Sequence, residues 1–343
     1  MIIRSSDLKE GMILKNDILG KNGILLIARK AILTEKHIKN IRKLKIPYVC
    51  VLEEDREEQI RSKDFQWEKE YHKALLAVQS VFHNARLGNK LELDKIQQAI
   101  EPFIKELIKD NNILSKIRKI NILDQYTYSH SINVGVLAII TGKWLGFPLN
   151  ELKELTLAGI LHDIGKSMIP FEILNKPDKL TDEEFKMVKA HVIHGYNYLK
   201  KTPGISVDIL DGIRQHHERM DGSGYPLNLK GFEIHKYARV IAVVDTFDAI
   251  ISKRPYKSRK SPFEAIEILH NSLFHALDSH ICNVFLDNIF PLYIGNSVKL
   301  NSNEVGKIVT INKYLPTKPL VKVDDKFIDL SKNSNYEIVD LMI

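Results

Sequence analysis

Cysteine is almost absent. Cys50 and Cys282 are the only two in 343 residues, and they form no CxxC pair. No disulfide framework is expected, and a reducing compartment is the default. Long apolar runs are missing too: the longest, over 132–140, is too short to span a bilayer. No basic n-region with an apolar h-region follows Met1, so no signal peptide is read and a cytoplasmic protein is expected. Neither sign of charge dominates. The net charge of +7 is spread along the chain and is not interleaved with aromatics, which suits an anionic ligand but provides no nucleic-acid groove. There is no internal repeat or low-complexity tract. What is present is ordinary for a globular protein, 44% hydrophobic and 27% charged, over a length that implies two or three domains.

Residues 1–55 read as a small α+β domain. Ile13-Leu14 and Ile24-Leu25-Leu26-Ile27 look like strands around the turn signal Gly20-Lys21-Asn22-Gly23. Thr34 is placed to cap a helix whose Ile38, Ile41 and Leu44 share a face, and Tyr48-Val49-Cys50-Val51 reads as a strand. The charged run Glu53-Glu54-Asp55-Arg56-Glu57-Glu58 leads into a helical connecting region over 56–120. There Leu75, Val78 and Phe82 share one face, and Ile96, Ile100, Phe103 and Leu107 another, with a break at Gly88-Asn89 and a local disruption at Pro102. Such stripes serve a core or a dimer surface, and a homodimer through this region is expected.

Residues 121–290 read as a succession of helices. One, over 126–145, is apolar nearly all round. The next is capped by Asn150, runs to His162 and stops at Gly165. The capping box Thr181-Asp182-Glu183-Glu184 opens a helix through His191 to about Leu199. Further helices are expected over 207–218, 238–252 and 263–290. After Pro291, short runs holding Val298, Leu300, Ile308, Val309, Ile311, Val321, Val323, Ile328 and Leu330 predict a small β unit over 291–343. The fold class is therefore mainly α, with a helical core between a small α+β N-terminal domain and a small β C-terminal unit.

The chemistry centres on His162-Asp163-Ile164-Gly165-Lys166. Two adjacent metal-ligand types, a turn and a cation suit work on a phosphate ester. His130, His191, the pair His216-His217, and Asp245 beside Val240-Ile241-Ala242-Val243-Val244 are further polar groups at positions where core is expected. Singly, each is more often a hydrogen-bonded core residue. Jointly they need one another, because a lone buried carboxylate costs several kcal/mol. An imidazole-rich set favours a transition metal. Seven candidates exceed what one tetrahedral ion needs and suit two ions bridged by Asp163, which lower the pKa of a bridging water and stabilise both oxygens of an in-line displacement. The remaining histidines are left as ordinary, His194 being one turn from His191.

The next stretch, His216-His217-Glu218-Arg219-Met220-Asp221-Gly222-Ser223-Gly224-Tyr225-Pro226, is a tight loop shaped by glycine and proline. Tyr225 offers a flat face for a base, and backbone N–H groups can meet a phosphate. Arg254 and Lys257, in Arg254-Pro255-Tyr256-Lys257, are placed to neutralise phosphates.

These motifs resemble the HD-GYP family, a branch of the HD hydrolases. His162-Asp163-Ile164-Gly165-Lys166 is similar to its first signature, and the loop ending in Gly224-Tyr225-Pro226 to its second. Tyr126-Thr127-Tyr128-Ser129-His130-Ser131, Leu174-Asn175-Lys176-Pro177, Leu180-Thr181 and Arg254-Pro255-Tyr256 follow the family's intervening pattern in order, over about 120–290. The resemblance implies an all-helical HD-hydrolase core over 121–290 that hydrolyses the bacterial second messenger cyclic di-GMP. It implies metal ligation by His130, His162, Asp163, His191, His216, His217 and Asp245, with His162, Asp163 and Lys166 catalytic. It further implies substrate contacts from Lys166, Asp221, Gly224, Tyr225, Pro226, Arg254 and Lys257. Members with three metals carry a Glu one turn before the first His; Tyr126 stands there and resembles the two-metal members, which commonly stop at linear pGpG. Two divalent ions, iron or manganese, and no third are expected. The N-terminal domain resembles the small one often found ahead of HD-GYP domains, and the family's Phe-Asp-Pro is replaced by Leu277-Asp278-Ser279. The expectation is a cyclic di-GMP phosphodiesterase with a small-molecule substrate and neither nucleic acid nor membrane as partner. The alternatives are a non-catalytic cyclic di-GMP receptor and a hydrolase of another cyclic dinucleotide.

Overall fold

A computed structural model describes residues 2–12, 14, 16–19, 25–28, 31, 33–44, 46, 48–51, 56–109, 126–251, 263, 268–269, 276–312 and 315–342. The chain divides into two compact units, Met1–Lys69 and Glu70–Ile343.

The first unit is α+β. β1 (Ile2–Arg4) pairs antiparallel with β4 (Tyr48–Cys50), and β2 (Ile18–Leu19) with β3 (Leu25–Ile27). Leu14 adds one bridge to Val51, while Ile13 and the expected turn at Gly20-Lys21-Asn22-Gly23 lie outside the described residues. In the chain α1 (Glu35–Lys43) lies between β3 and β4. Thr34 caps it as the sequence predicts: its hydroxyl accepts from the His37 N–H, and His37 Nδ1 accepts from the Thr34 N–H, each at 3.3 Å. Leu8, Leu14, Leu33, Ile38, Ile41, Val49 and Val51 close a core of their own.

The long helix α2 (Arg56–Arg86) carries the chain from the first unit into the second, where α3 (Leu93–Lys109) follows. The predicted stripes are core: Val78, Phe82, Ile96, Ile100, Phe103 and Leu107 are buried. Pro102 sits inside α3, and the helix continues past it. Gly88 takes a positive φ where α2 has ended, as the break predicted there requires.

The main helical core consists of α4 (Tyr126–Trp144), α5 (Leu149–Leu161), the short α6 (Phe171–Leu174), α7 (Asp182–Lys189), α8 (His191–Leu199), α9 (Val207–Gln215), α10 (Lys236–Ile251) and α11 (Ser279–Ile289). Four local expectations are corrected. Pro148, not Asn150, stands at the N-cap of α5, and its carbonyl accepts from the Leu152 N–H, so Asn150 lies within the first turn. The helix opened by the Thr181–Glu184 capping box stops at Lys189, and Ala190, with ψ at −11°, separates it from α8. The stretch 263–290 is interrupted at 276–278, where Asp278 caps α11 by accepting from the His280 and Ile281 N–H groups. Asp278 also pairs with Arg239 at 2.6 Å, so the acidic residue of the altered Leu277-Asp278-Ser279 ties α11 to α10.

The fourth correction concerns Gly165. It lies in a 3₁₀ turn (Ile164–Met168), not at a positive-φ helix stop. A Cβ there would overlap the His191 carbonyl oxygen, so glycine is required because two backbones touch. A similar approach joins α4 to α5, where a Cβ on Gly159 would lie 3.0 Å from Gly135 Cα. These two contacts draw His130, His162, Asp163 and His191 together.

The C-terminal unit is an antiparallel sheet in the order β8 (Lys326–Asp329), β7 (Leu315–Val323), β6 (Val305–Asn312), β5 (Ser297–Leu300), β9 (Ile338–Met342). Alternation sends Val298, Leu300, Ile308, Val321 and Val323 inward. The fold is thus mainly helical with a small β unit at its end, as the sequence predicts. Among the described residues, no helix is long and apolar enough to cross a membrane.

Gly165→Ala is expected to cost roughly 3 kcal/mol, because the turn must move off α8. Thermal unfolding of the variant should begin about 5–10 °C below wild type. A midpoint within one degree of wild type would show that the turn tolerates the methyl group.

Candidate metal centre

Each predicted ligand arrives from a helix or a helix end. His130 lies on α4 and Asp245 on α10, both within very apolar sequence. His162 is the C-cap of α5, with Asp163 next to it; His191 opens α8; His216 is the C-cap of α9, with His217 following. The seven side chains converge as two groups: Asp163, His191, His216 and His217 in one, and His130, His162 and Asp245 in the other. Within each group the candidate donor atoms lie within 4.8 Å of one another.

Asp163 faces both groups. Its Oδ1 lies 3.3 Å from His191 Nε2, and its Oδ2 lies 3.3 Å from His162 Nε2 and 3.8 Å from His130 Nε2. Asp245 Oδ1 closes the second group at 3.1 Å from His130 Nε2 and 3.9 Å from His162 Nε2. His191 Nε2 and His216 Nε2 approach to 3.5 Å, a nitrogen pair that suits a shared cation better than a hydrogen bond between neutral acceptors.

The tautomers follow from the neighbours. His162 Nδ1 lies 2.7 Å from the Gly159 carbonyl, His191 Nδ1 2.7 Å from that of Val188, and His216 Nδ1 2.7 Å from that of Ile213. A carbonyl only accepts, so each Nδ1 carries the hydrogen and each Nε2 presents a lone pair inward. Burial pushes His191 down to about 4, His217 to about 3, and His216 well below the ordinary imidazole range. These rings are neutral donors at physiological pH.

The two carboxylates remain charged. Burial alone would raise Asp163, but His162 and Lys166 hold it well below the usual carboxylate range; His130 and His162 do the same for Asp245. His130 is the exception among the rings. Burial alone would lower it, but hydrogen bonds to Asp245 and Asp248 lift it to about 10. His162 Nε2 and Asp163 Oδ1 are buried with no hydrogen-bond partner. Neutral imidazole lone pairs, ionised carboxylates and two orphaned donors fit divalent metal ions, and the mixed N/O set suits iron, manganese or zinc.

Lys166 Nζ is 2.5 Å from Asp163 Oδ2, so the predicted phosphate contact is bound to the central carboxylate. Tyr225 stacks on His217 at 4.8 Å and 27°, and its ring plane is therefore engaged on that side. Its backbone N–H donates to the His217 carbonyl at 3.2 Å. Gly224 runs where a Cβ would overlap Glu218, and Pro226 follows a cis peptide bond. Asp221 is exposed and accepts from the Ser223 N–H at 2.9 Å, outside both groups. Arg254 and Lys257 lie outside the described residues. The side chain of Tyr126, at the start of α4, is likewise outside the described structure. His194 joins neither group.

Two supporting residues escaped sequence reasoning. Asp248 is buried, holds His130 Nδ1 at 2.7 Å and accepts from Asn133 at 3.1 Å. Its spacing of three from Asp245, on the same face of an apolar helix, was the available signal. Glu218 is also buried and accepts from the Leu227 and Leu229 N–H groups at 2.6 and 3.1 Å, which holds the loop against the centre. A carboxylate directly after two candidate ligands was its signal. Asp248→Asn should weaken metal affinity about 10- to 100-fold while leaving the ligand set intact. Competition titration against a chelator measures this; an unchanged affinity would show that Asp248 does not orient His130.

A family model described as "HD domain" matches residues 108–281, half of the chain. Cyclic di-GMP phosphodiesterase PA4108 of Pseudomonas aeruginosa is 35% identical over 251 residues, covering 73% of this chain and 60% of that protein. A cyclic di-GMP phosphodiesterase of Thermotoga maritima is 39% identical over 51% of this chain and 47% of that one. The 3'3'-cGAMP-specific phosphodiesterase 1 of Vibrio cholerae is 36% identical over 56% and 46% respectively. The chain thus spans from about half to three-fifths of the length of these curated relatives. Among solved structures, Bd1817 of Bdellovibrio bacteriovorus, described as an HDG"Y"P protein, shares the fold with a TM-score of 0.55 at 18% identity, over 84% of this chain and 98% of that one. The matched segment carries all seven converging side chains, and the chain belongs to the HD domain family, as its HD-GYP motifs lead one to expect.

Proposed function

We propose that this chain is a metal-dependent phosphodiesterase that hydrolyses cyclic di-GMP, stopping at linear pGpG. Two divalent ions, iron or manganese, would be held by the two groups of side chains that meet at Asp163. The observation that carries the metal chemistry is the pair of buried, unpartnered donors, His162 Nε2 and Asp163 Oδ1, where the two ligand groups meet. The cyclic dinucleotide follows from the relatives named as cyclic di-GMP phosphodiesterases.

In this reading His191, His216, His217 and Asp163 would hold one ion, and His130, His162 and Asp245 the other, with Asp163 facing both. When bound, such ions activate water and draw charge from the phosphate oxygens. The remaining work falls to the chain's own groups. Lys166, one-third exposed beside Asp163, offsets charge where a phosphate enters. Tyr225 fixes the plane of His217, and burial pushes its hydroxyl up, so it positions without donating a proton to water at neutral pH. Glu218 anchors the end of the loop that carries Asp221, Gly224, Tyr225 and Pro226 by accepting from the Leu227 and Leu229 N–H groups. Arg254 and Lys257 complete the substrate contacts by charge. A second reading keeps the chemistry and changes the ligand to another cyclic dinucleotide; the cGAMP-specific relative favours it.

Protein prepared anaerobically with Mn(II) or Fe(II) is expected to convert cyclic di-GMP to pGpG, and His162→Ala to lower the rate more than about 100-fold. Running 3'3'-cGAMP in parallel separates the two readings. If neither nucleotide gives a linear product under any metal condition, or if His162→Ala matches wild type, hydrolysis at this centre is wrong. Tight binding without turnover would leave a receptor. Elemental analysis should find about two metal equivalents per chain; three would overturn the two-ion assignment.

A further inference from the structure

Helix α7 ends on Lys189, two residues before His191. Its Nζ lies 4.7 Å from the centre of the Phe185 ring, one turn earlier, and 5.0 Å from the centre of the Tyr225 ring. Tyr225 in turn stacks on His217. One aromatic ring therefore separates Lys189, a half-buried residue, from a candidate metal ligand.

Its partners set it apart from its neighbours. Lys166 is bound to Asp163 at 2.5 Å, and Lys176 to Glu184 at 2.7 Å. Among the described residues, the ammonium of Lys189 meets two ring faces and no carboxylate. Ring faces hold a cation more weakly than an anionic oxygen does. Such a group is ready to exchange its rings for an anion.

We propose that Lys189 anchors the phosphate of a cyclic dinucleotide that is not being cleaved. The inference rests on the phosphodiesterase reading above. A cyclic dinucleotide carries two phosphodiesters in one small ring. When one meets the donors around Asp163, the other lies at the rim and needs a cation that is not already neutralised. Lys189 meets that need. Its departure from Tyr225 also uncovers that ring for a purine, so phosphate capture and base stacking are coupled through one side chain. A ligand with a single phosphodiester gains nothing from this contact. Lys189 thus selects for dinucleotides, and the carboxylate-bound Lys166 serves the phosphate at the metal-ligand groups.

Steady-state kinetics of the metal-loaded full chain, with cyclic di-GMP and 3'3'-cGAMP as substrates, tests this. Lys189→Met is expected to raise KM about 10-fold with kcat within about threefold, and Lys189→Arg, which keeps the cation, to bring KM back to within about threefold of wild type. An unchanged KM in Lys189→Met overturns the proposal while the phosphodiesterase reading stands. A fall in kcat at constant KM, not rescued by Arg, also overturns it, because that pattern marks a structural effect through Tyr225 and His217. A wild type that neither binds nor cleaves either dinucleotide overturns the phosphodiesterase reading, and the role of Lys189 with it.

Discussion

Asp163 is buried with the Nε2 atoms of three imidazoles within 3.8 Å of its two oxygens and a lysine on one of them. The rest of the helical core depends on this carboxylate being charged and surrounded. A buried carboxylate left without polar neighbours costs several kcal/mol, so the helices that bring those neighbours cannot drift independently. The close backbone contacts at Gly165 with α8 and at Gly159 with Gly135 make that convergence possible. A methyl group at either point would push the donors apart.

The ligand imidazoles solve a second problem. The last carbonyls of any helix lack intrahelical partners. Gly159, Val188 and Ile213 each lie in the last turn of a helix, and each accepts the Nδ1 hydrogen of the histidine three residues on. One hydrogen bond satisfies a buried carbonyl, fixes the tautomer and aims Nε2 inward. Helix ends are therefore both where the chain can turn and where an imidazole is oriented most economically. His130 lies inside α4, away from the C-terminal end where carbonyls lack intrahelical partners. Asp248 does that work from α10, and the negative charge on both sides of His130 is what lifts its pKa.

Much of this was legible beforehand. Thr34 and Thr181 cap the helices they were expected to cap, because a capping box is written in four consecutive residues. The seven polar residues stood out because each interrupted apolar sequence. Asn150 misled, since Pro148 with its extended backbone had already started the helix. The break at Ala190 was hidden because alanine is itself the best helix former and no glycine or proline marks the turn. Lys166 and Tyr225 were associated with the centre through the motifs, but their partners, Asp163 and His217, belong to contacts that periodicity does not encode.

The sequence by itself determined most of the secondary elements, the polar intruders in apolar helices, and the motifs that mark the HD domain family, because these depend largely on neighbours a few residues away. Tertiary structure alone decided which oxygen of Asp163 faces which imidazoles, that Lys166 is neutralised while Lys189 is held by ring faces, and that Asp248 and Glu218 stand behind the centre. The physical reason is desolvation: only when distant helices exclude water from the same small volume does the partner of each charge become energetically compulsory.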